Sequence, residues 1–129
     1  MARLILDSGA VIALAAGNPV ARRFVDRAIN QGLLVVIPAV VIAETTRGNT
    51  RDANVNRVIK RVTEITPVTE EVAREAGRLL ATARIGNTTI DALVIAEAVL
   101  GEAATVLTGD LDDLAALANG FTHIHVFGI

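Results

Sequence analysis

Four carboxylates stand in or against apolar runs. Asp7 closes Leu4-Ile5-Leu6, Glu44 closes Val40-Val41-Ile42-Ala43, Asp91 opens Ala92-Leu93-Val94-Ile95, and Asp110 follows Thr105-Val106-Leu107 after two residues. Such contexts call for burial, and an ionised carboxylate taken out of water without a partner costs more than its own side chain can return. Lysine and arginine are scarce in these stretches, so a divalent cation shared by several of the acids is the economical partner. The chemistry this offers is activation of water and neutralisation of a developing oxyanion, with no nucleophile supplied by the protein.

Other uses of the same acids are open. Asp7 with Ser8 can cap a helix that begins near Gly9. Asp91 stands three residues after Thr88, the spacing of a capping box, which is compatible with a second role at a metal. Glu44 in a helix is ordinarily solvated, but its apolar neighbours leave little room for a polar face and favour an inward-facing ligand. Any of Asp110, Asp112 and Asp113 can cap a helix over Leu114 to Ala118 while another reaches a metal, and Asp112 reads as a solvated acid of the first turn.

The elements that must position these acids alternate. Strand-like runs occur at Arg3 to Leu6, Leu33 to Ile37, Thr63 to Val68, Ala104 to Leu107 and His123 to Phe127. Between them, Asn18-Pro19 starts a helix through Ile29 that Gly32 ends, and Arg51 to Val62 carries Val55, Val58, Ile59 and Val62 at helical spacing. Thr69 opens a helix with Val72, Ala76, Leu79, Leu80 and Ala83 on one face that breaks near Gly86, and Thr88 starts another over Thr89 to Leu100. This order predicts one α/β domain over residues 1–129 with a mostly parallel sheet. In such sheets ligands gather beyond the carboxyl ends of the strands, where Asp7 and Asp110 fall.

Composition narrows the chemistry further. Hydrophobic residues make up 52% and aromatics 2% of the 129 residues, which demands a core of Ala, Val, Leu and Ile. The net charge of −2 excludes long-range attraction of nucleic acid by the whole molecule, leaving local basic patches to do that work. No cysteine is present, so a metal here is oxygen-bound. His123 and His125 alternate with apolar residues as in a half-exposed strand and read as structural. The longest apolar stretch, Leu33 to Ala43, contains Pro38 and is too short to cross a bilayer, and Asp7 interrupts a signal-like N-terminus. These features predict a soluble, cytoplasmic protein.

Leu6-Asp7-Ser8-Gly9-Ala10, Pro38-Ala39-Val40-Val41-Ile42-Ala43-Glu44, Ile90-Asp91-Ala92-Leu93-Val94-Ile95-Ala96 and Leu107-Thr108-Gly109-Asp110-Leu111-Asp112-Asp113-Leu114 together resemble a PIN domain. They span the whole chain in the family's order and are most similar to the VapC toxins of toxin–antitoxin pairs. The resemblance implies a three-layer α/β/α fold with a five-stranded parallel sheet. It also implies Mg²⁺ or Mn²⁺ held by Asp7, Glu44, Asp91 and Asp110, cleavage of RNA, a cognate VapB-like antitoxin and a homodimer. In the family pattern the acid two residues after the threonine is the ligand, which points from Thr108 to Asp110 and leaves Asp113 as an auxiliary ligand. Thr88 stands where some relatives carry a further acid, so one-metal and two-metal mechanisms both stay open.

Basic residues concentrate at Arg47, Arg51, Arg57, Lys60 and Arg61, with a second group at Arg22, Arg23 and Arg27. Arg47 shares a helix face with Glu44 and is the first choice for a phosphate contact; Ser8 and Thr108 join it as candidate substrate contacts. Phe24, Phe121 and Phe127 are too few for base stacking to dominate recognition. Two other function classes compete with the ribonuclease: a PIN-like RNA-binding or interaction module without catalysis, and an aspartate-based phosphoryl-transfer domain. The second lacks an acid two residues after Asp7, where Gly9 stands, and has Lys60 as its only lysine.

Overall fold

The computed structural model describes residues 2–86 and 88–129. Strand β1 (Arg3–Leu6) leads into helices α1 (Ser8–Ala15) and α2 (Pro19–Asn30), then β2 (Leu34–Pro38) and α3 (Ala39–Thr45). A 3₁₀ turn (Thr50–Asp52) precedes α4 (Ala53–Arg61), β3 (Glu64–Thr66), α5 (Glu70–Ala83) and α6 (Thr89–Val99). The chain closes with β4 (Ala104–Thr108), α7 (Leu111–Ala118) and β5 (Ile124–Gly128).

All five strands are parallel, in the order β3-β2-β1-β4-β5. Leu4 pairs with Val35 on one side and Thr105 on the other, and Leu6 with Leu107. From β1 the chain first builds outward through β2 and β3 and then returns to build β4 and β5 on the other side. The reversal lies between β1 and β4, the crevice where open α/β sheets collect ligands. Asp7 and Asp110 end the two strands that flank it.

Helices cover both faces, as near-continuous apolar strands require. Leu4 and Thr105 face α2, sharing a hollow with Phe24 and Ala28, while Arg3, one residue earlier, reaches the last turn of α6. Helices α1, α2 and α4 pack together, as do α5, α6 and α7, and α3 touches both α1 and α6. Leu4, Ile5, Leu6, Val35, Val36, Ile37, Val106 and Leu107 are fully or almost fully buried, a core of aliphatic side chains. Among the described residues no helix is long and apolar enough to cross a membrane.

Several boundaries differ from the sequence-based expectation, each for a local reason. The run Leu33 to Ala43 divides at Pro38, whose φ of −62° and missing N–H suit the residue before a helix. Strand β3 keeps only Glu64–Thr66 of the expected Thr63 to Val68, because Pro67 cannot extend the ladder. The expected helix over Arg51 to Val62 starts as a 3₁₀ turn and becomes α-helical at Ala53. Helix α5 stops at Ala83, with Arg84 in the left-handed region at φ 54°, before Gly86 is reached. Helix α7 begins at Leu111 and not Leu114, because Asp110 takes the N-cap. Asn18 caps α2 as expected, its Oδ1 accepting from the N–H groups of Val20 and Ala21 at 2.9 and 3.0 Å.

Candidate metal centre

Asp7 is the N-cap of α1 and only 4% exposed. Its Oδ1 accepts from the Ala10 N–H at 2.8 Å and the Gly109 N–H at 3.3 Å, and its Oδ2 from the Thr108 hydroxyl. The fully buried Thr108 hydroxyl in turn accepts from the Asp110 N–H at 2.8 Å. One hydroxyl thus fastens the side chain at the end of β1 to the main chain at the end of β4. The two backbones meet closely: a Cβ on Gly9 would lie 2.7 Å from Gly109 Cα and 2.8 Å from its nitrogen. Only glycine permits that approach.

Asp110 is exposed, and its Oδ1 accepts from the Asp113 N–H at 3.5 Å, the long end of a capping bond. Asp91 lies half-buried in the first turn of α6. Asp91, Asp110 and Asp113 each offer a carboxylate oxygen within 4.8 Å of the other two. Glu44, in the last turn of α3, is exposed and accepts from the Ser8 hydroxyl. The start of α1 therefore joins both sides of the site, through Asp7 to Thr108 and Asp110, and through Ser8 to Glu44.

The electrostatics report the same convergence. Burial pushes the Asp91 carboxyl up to about 6, and the charges of Asp110, Asp7, Glu44 and Asp113 add to it in that order. Asp7 is raised too: burial outweighs the lowering by its bonds to Thr108, Ala10 and Gly109, and Asp110 adds repulsion. Asp113 is raised by desolvation and then by Asp110 and Asp112. Among the described residues the ion pairs are Arg3–Glu97, Arg61–Asp26, Arg74–Glu70 and Arg78–Glu75, none of which touches these acids. Two oxygens on opposite sides of an ion at about 2.1–2.4 Å lie roughly 4.2–4.8 Å apart, so the cluster fits a hard divalent cation.

The PIN domain family model matches residues 4–120. The chain belongs to the PIN domain family. The fold of this PIN domain is shared by solved structures at low identity. It is similar to VapBC2 from Rickettsia felis bound to a DNA fragment from their promoter, at TM-score 0.76 and 14% identity, covering 98% of each chain. DNA-bound VapBC from Salmonella typhimurium matches at 0.67 and 17%, covering 99% of this chain and 98% of that one. VapBC-5 from Mycobacterium tuberculosis, a member of the VapBC family of toxin-antitoxin systems, matches at 0.61 and 24% over 100% of both. No curated protein sequence matches significantly.

Within this PIN domain the burial anticipated for all four acids holds for Asp7 and half-holds for Asp91, whereas Glu44 and Asp110 are exposed. Edge positions reconcile the two: all four acids stand close in the chain to buried residues, and of the four only Glu44 and Asp110 reach solvent freely. The Thr88–Asp91 capping box does not form; the Thr88 side chain makes no cap bond, and its buried hydroxyl has no partner among the described residues. Thr108 lies beneath the acids with its hydroxyl engaged, and Ser8 is spent on Glu44. The Arg47 guanidinium folds back onto α3, donating to the carbonyls of Thr46 at 2.7 Å, Glu44 at 3.3 Å and Ala43 at 3.4 Å. Asp112 is exposed as expected. His123 Nε2 lies 3.1 Å from the Val99 carbonyl oxygen, away from the acids.

The two basic groups meet in part, through Arg22 of one and Arg57 and Arg61 of the other. Arg22, Arg57 and Arg61 rim one groove among α1, α2 and α4, floored by Leu14, Val25 and Val58. Sequence reasoning also missed the Gly9–Gly109 contact and the structural use of Asp52. Glycines flanking two strand-end acids were the available signal for the first; the second had none, because Asp52 looks like any acid at a helix start.

Proposed function

We propose that this PIN domain, one domain over residues 1–129, is a metal-dependent endoribonuclease acting in the cytoplasm as the toxin of a VapBC-type pair. The observation that carries the reading is the meeting of Asp91, Asp110 and Asp113 with Asp7 and Glu44 without a basic ion-pair partner among the described residues. Asp7, Glu44, Asp91 and Asp110 are the metal-holding and catalytic residues, with Asp113 auxiliary. Mg²⁺ or Mn²⁺, when bound, activates water and neutralises charge on the scissile phosphate and the departing oxygen. The chain holds the geometry: Thr108 fixes one Asp7 oxygen, Ser8 turns Glu44 toward the edge, and the α6 N-terminus presents Asp91.

The resemblance to complexes named as toxin–antitoxin pairs supports a VapB-like antitoxin as partner. The apolar groove with its cationic rim has the chemistry for an acidic, amphipathic segment of such a partner. A homodimer completes the reading. An aspartyl-phosphate mechanism is disfavoured because Asp7 is buried with both oxygens accepting hydrogen bonds. The non-catalytic module is disfavoured because all four acids are retained.

The test is cleavage of total RNA with mapped ends, with Mn²⁺, Mg²⁺ or chelator, comparing the wild type with Asp91→Asn. Ion-dependent cuts by the wild type that the variant cannot make are expected. Intact RNA in every arm would overturn the nuclease reading in favour of an interaction module. A small DNA-binding protein encoded beside this chain that copurifies with it would support the toxin assignment.

A further inference from the structure

Asp52 is a buried acid that the reaction does not use. It occupies the N-cap of α4 but gives that helix no side-chain bond. Its carboxylate faces back into the preceding turn. Oδ1 accepts from the Arg47 N–H at 2.9 Å, and Oδ2 from the same N–H at 3.1 Å and the Gly48 N–H at 2.7 Å. Gly48 sits at φ +79°, a conformation that turns successive N–H groups toward one acceptor. The Arg47 N–H contributes most to holding the Asp52 carboxyl below its ordinary range, against the cost of burial.

The turn held this way follows Glu44 by two residues. Arg47 is gripped from both ends: its N–H by Asp52, its guanidinium by the last carbonyls of α3, the Glu44 carbonyl among them. Those carbonyls have no partner within the helix and would otherwise fray. Fraying would first release Glu44, which is exposed and tied to the site through Ser8 alone among hydrogen bonds of its side chain between the described residues.

We infer that Asp52 is a positioning residue for the metal centre: through Arg47 it fixes the end of α3 and so holds the Glu44 carboxylate at the sheet edge. The inference rests on the metal reading above. It assigns Arg47 to the end of α3 instead of to a phosphate, and gives the turn between α3 and α4 a role in metal affinity.

The experiment measures Mn²⁺ affinity by electron paramagnetic resonance, alongside thermal melts, for the wild type, Asp52→Asn, Arg47→Met, Asp91→Asn and Val55→Ala. Val55 packs against the core from α4 and makes none of the hydrogen bonds that hold the turn, so its truncation lowers the melting midpoint through packing. Asp52→Asn is expected to weaken Mn²⁺ binding about tenfold, the low end of losses for groups that support metal ligands, and Val55→Ala to leave it unchanged. Arg47→Met, exposed and tolerant of truncation, should weaken binding in the same direction and carries the test if Asp52→Asn does not fold. Wild-type affinity in Asp52→Asn and Arg47→Met, with a loss in Asp91→Asn, overturns the clamp and leaves the metal centre standing. No binding by the wild type, or none lost in Asp91→Asn, overturns the metal centre and the clamp with it.

Discussion

At the amino end of the sheet Glu97 faces Arg3, whose guanidinium lies 3.3 Å from its carboxylate and donates to the main-chain oxygens of Glu97, Ala98 and Glu102. At the carboxyl end Asp7, Asp91 and Asp110 gather with no ion pair to a guanidinium or ammonium of the described residues. Both ends bury acid. Burial raises the Glu97 carboxyl above its ordinary range even against Arg3, so a single partner at the protein boundary does not fully offset desolvation. At the other end only hydrogen bonds to Asp7 oppose it, and the mutual repulsion of the acids adds to it. The chain closes one end with its own cation and gathers like charges at the other. Fixed pairing belongs to the fold; withheld pairing belongs to the site.

The widest break of that contrast is in activity. Asp7→Asn or Asp91→Asn should lower Mn²⁺-dependent RNA cleavage by about 100-fold or more while circular dichroism shows a folded chain. Glu97→Gln should do the reverse, leaving cleavage within about twofold and lowering stability by about 1–3 kcal/mol, since Arg3 loses its partner while half-buried. Equal cleavage by all three variants would erase the distinction between the two ends.

Next in size is the contact that brings β1 and β4 together. Gly9→Ala places a methyl against the Gly109 backbone and should cost about 1–3 kcal/mol, with weaker Mn²⁺ binding as Asp7 and Asp110 are pushed apart. Gly77→Ala, in the exposed middle of α5 with open space at its Cβ, should raise stability by about 0.5–1 kcal/mol and leave binding alone. Denaturant unfolding and ion titration of the pair decide this. Thr108→Val should cost about 1–2 kcal/mol by removing the donor to Asp7 and the acceptor for the Asp110 N–H, and Thr108→Ser should recover most of it.

The smallest effect is the dependence on pH. In chelated protein the Asp91 carboxyl sits near 6 against an ordinary 3.8, so its protonated form is favoured by folding. Its stabilising contribution is complete below the ordinary value and is lost as pH rises through about 6. Asp52 runs the other way: lowered in the fold, it stabilises above its ordinary range, and that contribution fades as acid protonates it. Thermal melts with chelator should therefore fall between pH 4 and 7 by less in Asp91→Asn than in the wild type, and adding Mn²⁺ at pH 7 should raise the wild-type midpoint more than the variant's. A chelated wild type whose midpoint rises over that interval as steeply as the variant's would contradict the assignment of repulsion to Asp91.

Much of this was legible in the residues. Strands from hydrophobic runs, the Asn18-Pro19 helix start, the Thr69 cap and the parallel order follow from local patterns, because burial on both faces and capping chemistry act within a few residues. The acids stood out because a charge beside Ile, Val and Leu breaks a pattern that local physics otherwise enforces. What local patterns could not carry were preferences set by a distant neighbour. Thr88 looks like a cap and makes no cap bond, Arg47 looks like a phosphate ligand and closes α3, and Asp52 looks like a helix start and holds a turn.

The sequence by itself determined which elements form, that the sheet is parallel, and that acids of four segments need a partner, since each follows from interactions between near neighbours. Only the tertiary structure decided that β1 and β4 lie side by side through Gly9 and Gly109. It likewise decided that Thr108 joins their ends, that Asp113 joins Asp91 and Asp110 in one cluster of carboxylate oxygens, and that Arg22 shares a groove with Arg57 and Arg61. The reason is distance along the chain: contacts between segments far apart in sequence are set by how the layers pack, and packing is a property of the whole.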